Sequence, residues 1–419
     1  MIIAFGKTFP SNMQNEILFK MESRINRTLS QKPLNMQKVI TAIDKLGKEI
    51  ASGKYDEKIN KLLIDNPLKY KDMAVRMLSR EAVEAKLETE LNGLSKDYGN
   101  VKAKIMPLGV IFHIAAGNVE GLPAYCVAEG LLTGNINILK LPQADNNLSV
   151  EIISRLIELE PDLSDYIYVF DTPSADIHGM RKMADLADGI SVWGGDEAIM
   201  AVRRLAAPAA KLIEWGHKLG FVYISGMYHD SDLEGIAEHI AITKQLLCSS
   251  CQVIYCDTED IGDLHILGQR FLPILEKAVK SNLPNSIGTK ANMTILGYTD
   301  MLENLISGNK NTGILKGKGC SIKVCGDSDL ELSPMMCNVL IKKLPRKKII
   351  PVLRKSKGYL QTAGLICSDS DKQDLCSVFF RCGVTKIVKP RDMSEMFLNE
   401  AHDGQYALSR YIKIVNEIF

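Results

Sequence analysis

The 419-residue sequence has no excess of one charge: 51 Lys and Arg stand against 50 Asp and Glu, for a net charge of +1. A chain this close to neutral has no electrostatic footprint for nucleic acid or for an anionic membrane. It also lacks an apolar run that could span a bilayer. The longest early uncharged stretch lies between Lys104 and Glu120, short of the roughly 20 residues a transmembrane helix needs. The first residues (MIIAFGK) carry neither a basic region nor an apolar core, so no export signal is expected. There is no repeat and no low-complexity tract, and 46% apolar with 24% charged residues excludes a disordered or collagen-like chain. Ten cysteines are too few and too irregularly spaced for a disulfide scaffold; nine fall after residue 240 and read as reduced thiols in a cytosol. Neither G-x-G-x-x-G nor G-x-x-x-x-G-K-[ST] occurs, so a nicotinamide cofactor would need another binding mode.

What is present is a change of pattern near residue 100. Residues 1–100 read as a helical N-terminal region, with apolar positions at three- and four-residue spacing over Asn35–Ser52 and Lys69–Leu94. From Pro107 short apolar runs alternate with helical ones. Val110–Ala115, Ile136–Leu141, Tyr166–Phe170 and Gly189–Trp193 are strands; Gly121–Leu132, Leu148–Leu159, Ala175–Ala187 and Glu197–Leu205 are helices. Alternation resumes with strands Phe221–Ser225, Gln252–Cys256, Cys337–Lys342 and Ala363–Cys367 and helices Leu233–Leu247, Ile261–Lys280 and Asp371–Phe380. Such alternation implies parallel sheets covered by helices. The expected fold is α/β: two doubly wound Rossmann-like domains, over 101–220 and 221–390, with the helical region 1–100 packed on the first and a C-terminal tail over 391–419. The chain crosses between them near Glu214–Gly220, and a ligand belongs beyond the strands' carboxyl ends.

Several residues could carry chemistry. Cys248, at a helix–strand junction, is either a reactive thiol, whose nucleophile is the thiolate, or one of the buried cysteines common in cores. Cys248 and Cys251 form a C-x-x-C, but no second pair stands at matching spacing for zinc, and redox pairs open helices rather than end them. Glu214, in Leu-Ile-Glu-Trp-Gly, is a candidate general base if its setting is apolar, and otherwise a solvated or ion-paired carboxylate. Asn118 follows a strand among small residues, where its amide could donate to an oxyanion or simply make a turn. Gly194 and Gly195 open a helix and could offer amides to a phosphate.

Five segments together resemble the aldehyde dehydrogenase superfamily, and more closely its LuxC-type acyl-CoA reductase branch. They are Pro107–Asn118 (PLGVIFHIAAGN), Gly130–Lys140 (GLLTGNINILK), Trp193–Asp196 (WGGD), Cys248–Gln252 (CSSCQ) and His402–Gly404 (HDG). The resemblance covers Pro107 to the end. It implies Cys248 as the acyl-accepting nucleophile, Asn118 as the oxyanion-hole amide beside the Cys248 backbone N–H, and Glu214, 34 residues before the cysteine, as the active-site glutamate. It implies cofactor contacts from Lys140 to the adenosine ribose, from Trp193, Gly194 and Gly195 to the phosphates, and from Glu331 to the nicotinamide ribose. Three departures stand out: Glu-Trp-Gly-His replaces Glu-Leu-Gly-Gly at 214–217, Cys251 replaces a proline, and Gln143 replaces the glutamate of many NAD-selective members. A neutral Gln143 does not repel a 2′-phosphate, which favours NADPH, with NADH also possible.

The function implied is NADPH-dependent reduction of an acyl thioester to the aldehyde through a thioester on Cys248, in the cytoplasm, with no metal. The donor would be acyl-CoA or an acylated carrier or synthetase partner, and the chain a homo-oligomer. Two alternatives stay open. One is an aldehyde dehydrogenase forming acid, which would require water activation by Glu214. The other is an inactive binding protein on the same fold.

Overall fold

The computed structural model describes residues 1–62, 67–117, 119–143, 146–282 and 312–419, with scattered positions between 288 and 302. The chain divides into two compact units, one formed by 1–216 with 396–419 and the other by 217–395.

In the first unit, strands β1 (Ile2–Ala4) and β2 (Lys7–Phe9) make a hairpin, β3 (Lys96–Asp97) and β4 (Val101–Pro107) a second pair, and β5 (Val110–Ile114), β6 (Ile136–Lys140), β7 (Ile167–Phe170), β8 (Gly189–Trp193) and β9 (Lys211–Trp215) the parallel core. The sheet order is β2-β1-β7-β6-β5-β8-β9. Strands β6 and β7 are buried along their whole length, as expected of parallel strands covered on both faces. Ile40, Ile43, Leu131, Val150 and Ile153 pack one face, and Met21, Ile25, Met180 and Met183 the other.

The helical expectation for 1–100 needs two corrections besides β3 at its end. Residues 2–9 are a hairpin that extends the sheet, its turn made by Phe5 and Gly6 at φ +54° and +71°. The span Lys69–Leu94 is two helices, Pro67–Leu78 and Arg80–Leu91, because the Ser79 hydroxyl accepts from Ala82 N and starts a new helix.

The second unit holds β10 (Leu219–Ile224), β11 (Cys251–Cys256), β12 (Thr312–Gly317), β13 (Cys320–Cys325), β14 (Asn338–Lys343), β15 (Leu360–Ile366) and β16 (Lys386–Val388), in the order β12-β13-β14-β11-β10-β15-β16. All neighbours are parallel except the β12–β13 hairpin. Leu233, Ile236, Ile240, Leu264 and Phe271 pack one face, and Ile349, Leu353, Leu375 and Phe379 the other. The expected C-terminal tail is not a separate segment: 396–419 belongs to the first unit, and β17 (Ile412–Ile418) pairs antiparallel with β4 from Ile412↔Pro107 to Ile418↔Val101. Among the described residues no helix is long and apolar enough to cross a membrane.

Candidate active site

The second unit presents Cys248 on a pinned turn. Helix Asp230–Thr243 stops without glycine, through Lys244 and Gln245 at φ +50° and +62°. Left-handed backbone at residues with a Cβ costs of order 1–3 kcal/mol each, so the surroundings must hold it. Ser250 closes the next turn from both sides: its Oγ accepts from Leu247 N at 3.0 Å and its N donates to Leu247 O at 2.9 Å. Cys248 and Ser249 lie between those bonds. Cys251 N then donates to His239 Nε2 at 3.2 Å. Gly220 lets β10 approach this turn, for a Cβ there would stand 2.6 Å from Ser250 O and 2.9 Å from Ser249 O.

Of the ten cysteines only Cys248 is exposed. Burial pushes the Cys251, Cys256, Cys320 and Cys337 thiols up to about 12, which leaves almost no thiolate at neutral pH. The second member of the C-x-x-C is therefore an inert core thiol. Among the described residues no group of three or more His, Cys, Asp or Glu could hold a metal.

Glu331 lies in the loop before β14 and receives a 2.5 Å bond from Lys342 Nζ, which also donates to Asp327 at 2.5 Å. The Lys342 side chain is 1% exposed. Burial disfavours its charge, but the bonds to the two carboxylates outweigh that and raise its pKa. Nothing in the run Asn-Val-Leu-Ile-Lys-Lys marks Lys342 as a partner of Glu331; the pairing arises from strand register. Gln252 joins the two loops: Nε2 donates to Gln245 O at 2.9 Å, and Oε1 accepts from Ser333 Oγ at 2.9 Å.

In the first unit Lys140 ends β6 and is 4% exposed; its Nζ donates to Ser174 Oγ at 2.9 Å, and burial lowers its pKa. Ser174 follows β7, a neighbour of β6 in the sheet, and gave no signal in the sequence. Gln143 is exposed three residues further on. Trp193 ends β8 and stacks on Trp215, with ring centroids 5.1 Å apart and planes 23° apart. His402 lies 5.2 Å from each ring, so the His402–Gly404 segment closes on this pair.

One expectation is narrowed here and one open alternative is decided. Gly194 N donates to Trp215 O at 3.1 Å, so its amide is not available to a phosphate; Gly195 is the N-cap of helix Asp196–Leu205. Glu214 lies inside β9, and of its two expected settings the ion-paired one is found. Arg203 Nε and Nη2 donate to its two oxygens at 2.6 and 2.7 Å. The Arg203 bonds hold the Glu214 carboxyl below its ordinary range, against a smaller opposing effect of burial. Asn118 lies outside the described residues.

The sequence model of a family described as acyl-CoA reductase (LuxC) matches residues 31–414. The long-chain acyl-protein thioester reductase of Aliivibrio fischeri is 24% identical over 94% of this chain and 85% of its own length. A second long-chain acyl-protein thioester reductase, from Photobacterium leiognathi, is 27% identical over 38% of this chain and 34% of its own. Among solved structures, aldehyde dehydrogenase 21 from Physcomitrella patens superposes with a TM-score of 0.71 at 12% identity, over 97% of this chain and 91% of its own. Glyceraldehyde-3-phosphate dehydrogenase GapN from Methanocaldococcus jannaschii, solved with NADP, gives 0.69 at 13% identity, over 98% and 94%. These likenesses establish the aldehyde dehydrogenase fold.

Proposed function

This chain belongs to the acyl-CoA reductase (LuxC) family and reduces an acyl group to the aldehyde; we propose that it does so with NADPH, through a thioester on Cys248. The observation that carries the reading is the exposed Cys248 thiol on a turn pinned by Ser250, while its neighbour Cys251 is buried and inert.

The Cys248 thiolate attacks the carbonyl of the acyl thioester. The oxyanion is stabilised by the Asn118 amide and the Cys248 N–H; one such donor is worth roughly 3–4 kcal/mol of barrier. The donor thiolate leaves with the C–S bond electrons and the acyl group stays on Cys248. When bound, the cofactor supplies the hydride that takes this thioester to a thiohemiacetal. Collapse returns the Cys248 thiolate and releases the aldehyde. No water is activated, so the cycle runs with Glu214 still gripped by Arg203. The alternative, oxidation of an aldehyde to acid, needs Glu214 as a base, and a carboxylate held below its ordinary range is poorly suited to that.

The residues fit a nicotinamide dinucleotide. Lys140 is a buried cation facing a hydroxyl at a strand's carboxyl end, where open α/β sheets bind ligands. Lys140 would hold the adenosine ribose, Trp193 and Gly195 the phosphates, and Glu331 the nicotinamide ribose. Neutral Gln143 admits a 2′-phosphate, and NADH remains a weaker substitute. The acyl donor is acyl-CoA or an acylated protein partner. Self-association would use the three-stranded sheet, where Ile414 and Ile418 are exposed on the face they share with Val101 and Ile105.

The test is NADPH consumption with a long-chain acyl-CoA or an acylated carrier protein, run for wild type, Cys248→Ala and Cys251→Ala, with mass spectrometry of the enzyme. Wild type and Cys251→Ala should consume NADPH and carry the acyl adduct; Cys248→Ala should do neither. Wild-type rates in Cys248→Ala would remove the assignment.

A further inference from the structure

Two loops of the second unit hold left-handed backbone at residues with a Cβ, and one side chain joins them. Lys244 and Gln245, at φ +50° and +62°, lead into the Cys248 turn; Met335, Met336 and Cys337, at φ +63°, +49° and +67°, follow the Glu331 segment. Non-glycine residues stay in that region only where surrounding bonds over-determine them. Met336 N donates to Lys244 O at 2.9 Å. The rest of the tie runs through Gln252, 3% exposed. Its Nε2 donates to Gln245 O at 2.9 Å, and its Oε1 accepts from Ser333 N at 3.2 Å and Ser333 Oγ at 2.9 Å. Gln245 passes the tie onward, its Nε2 donating to Cys251 O at 3.0 Å. The donor end of one buried amide thus reads the Cys248 turn and its acceptor end reads the Glu331 loop.

We infer that Gln252 is a positioning residue of the reductase: through Gln245 and Ser333 it holds the Cys248 turn and the Glu331 loop in one fixed register. The inference rests on the reading of Cys248 as acyl acceptor and of Glu331 as a cofactor ligand. Gln252 touches no reacting atom and does not titrate, so its effect lies in geometry, where small displacements of a reacting group cost much rate. The amide chemistry is specific. A glutamate of the same length keeps the acceptor end and meets Gln245 O with a second acceptor; a methionine keeps the length and loses both ends.

The experiment compares wild type with Gln252→Met, Gln252→Glu and Ser333→Ala. It reads kcat, KM for the acyl donor, the single-turnover rate of Cys248 acylation and the melting temperature. Gln252→Met and Gln252→Glu should each lose at least about tenfold in kcat and in acylation rate, with KM for the acyl donor changed less than about threefold. Ser333→Ala should lose less than either. A wild-type kcat and acylation rate in folded Gln252→Met overturns the inference, as does a loss that tracks melting temperature and recovers on cooling. Should Gln252→Met not fold, Gln252→Glu and Ser333→Ala decide, and wild-type rates in both overturn it. Failure of the underlying reading looks different: an acyl adduct absent from Cys248 in the wild type.

Discussion

Arg203 grips Glu214 through both carboxylate oxygens, at 2.6 and 2.7 Å. The geometry makes Glu214 an ionised pair member rather than a poised base. Glu214→Gln should therefore slow thioester reduction by less than about tenfold, against the 10²–10⁴ typical of a lost general base. A larger loss with an intact fold would restore the base role. The pair also sets a pH dependence. Because the folded-state pKa is lowered, its stabilising contribution is present above the ordinary carboxylate pKa and is lost as pH falls through the lowered one. The stability gap between wild type and Glu214→Gln should be open at neutral pH and close below about pH 4, as denaturant titrations at several pH values would show.

Gly220→Ala tests the approach of β10 to the Cys248 turn. The new methyl would meet the Ser249 and Ser250 carbonyls, backbone atoms that move only if the turn moves. Overpacking of this kind costs roughly 1–3 kcal/mol, and the displaced turn should lower kcat more than it lowers stability. Full activity with a lowered melting temperature would show that the turn tolerates the shift.

Cofactor choice is tested at Gln143 and Lys140. Gln143→Glu should lower kcat/KM for NADPH by about tenfold or more through repulsion of the 2′-phosphate, and leave NADH nearly unchanged. Lys140→Met should raise KM for either cofactor, since the methyl end cannot reach a ribose hydroxyl. Steady-state kinetics with both cofactors read the two variants, and an unchanged NADPH preference in Gln143→Glu removes that residue from cofactor selection.

His113 lies wholly buried in β5, with Nε2 donating to Asn137 Oδ1 at 3.0 Å. Burial pushes its pKa down to about 4. The unfolded chain binds the proton first, so stability is full above about pH 6.5 and falls as pH drops from there towards 4, by up to about 1.4 kcal/mol per pH unit. His113→Gln keeps a donor to Asn137 and does not titrate. Its stability should be flatter than wild type across that window; parallel curves would mean that His113 does not contribute to acid sensitivity.

The parallel cores were legible because buried strands between helices repeat one apolar signature. Gly189–Trp193 and Leu148–Leu159 match the sequence reading residue for residue. The β1–β2 hairpin was not legible, since three-residue strands carry too little alternation and its turn places a phenylalanine at positive φ. The β12–β13 hairpin was hidden by lysines at 316, 318 and 323. A motif pointed to Cys248 and the family resemblance to Glu331, but neither pointed to Lys342, Ser333 or Ser174, because those partners are set by strand register and loop closure. Glu214 and Arg203 are 11 residues apart on adjacent elements. Only the packing of helix Asp196–Leu205 on the sheet turns a candidate base into an ion pair.

The pairing of β17 with β4 also orders events on the ribosome. The partner of Pro107 is Ile412, so the first unit cannot close its smaller sheet until β17 has emerged. The second unit is one continuous stretch, 217–395, and all of it leaves the exit tunnel before β17 does. A nascent chain thus carries a complete second unit ahead of a complete first unit, and β4 waits with an open edge for its partner. A truncation that removes β17 leaves that edge permanently unpaired, open to pairing with another chain.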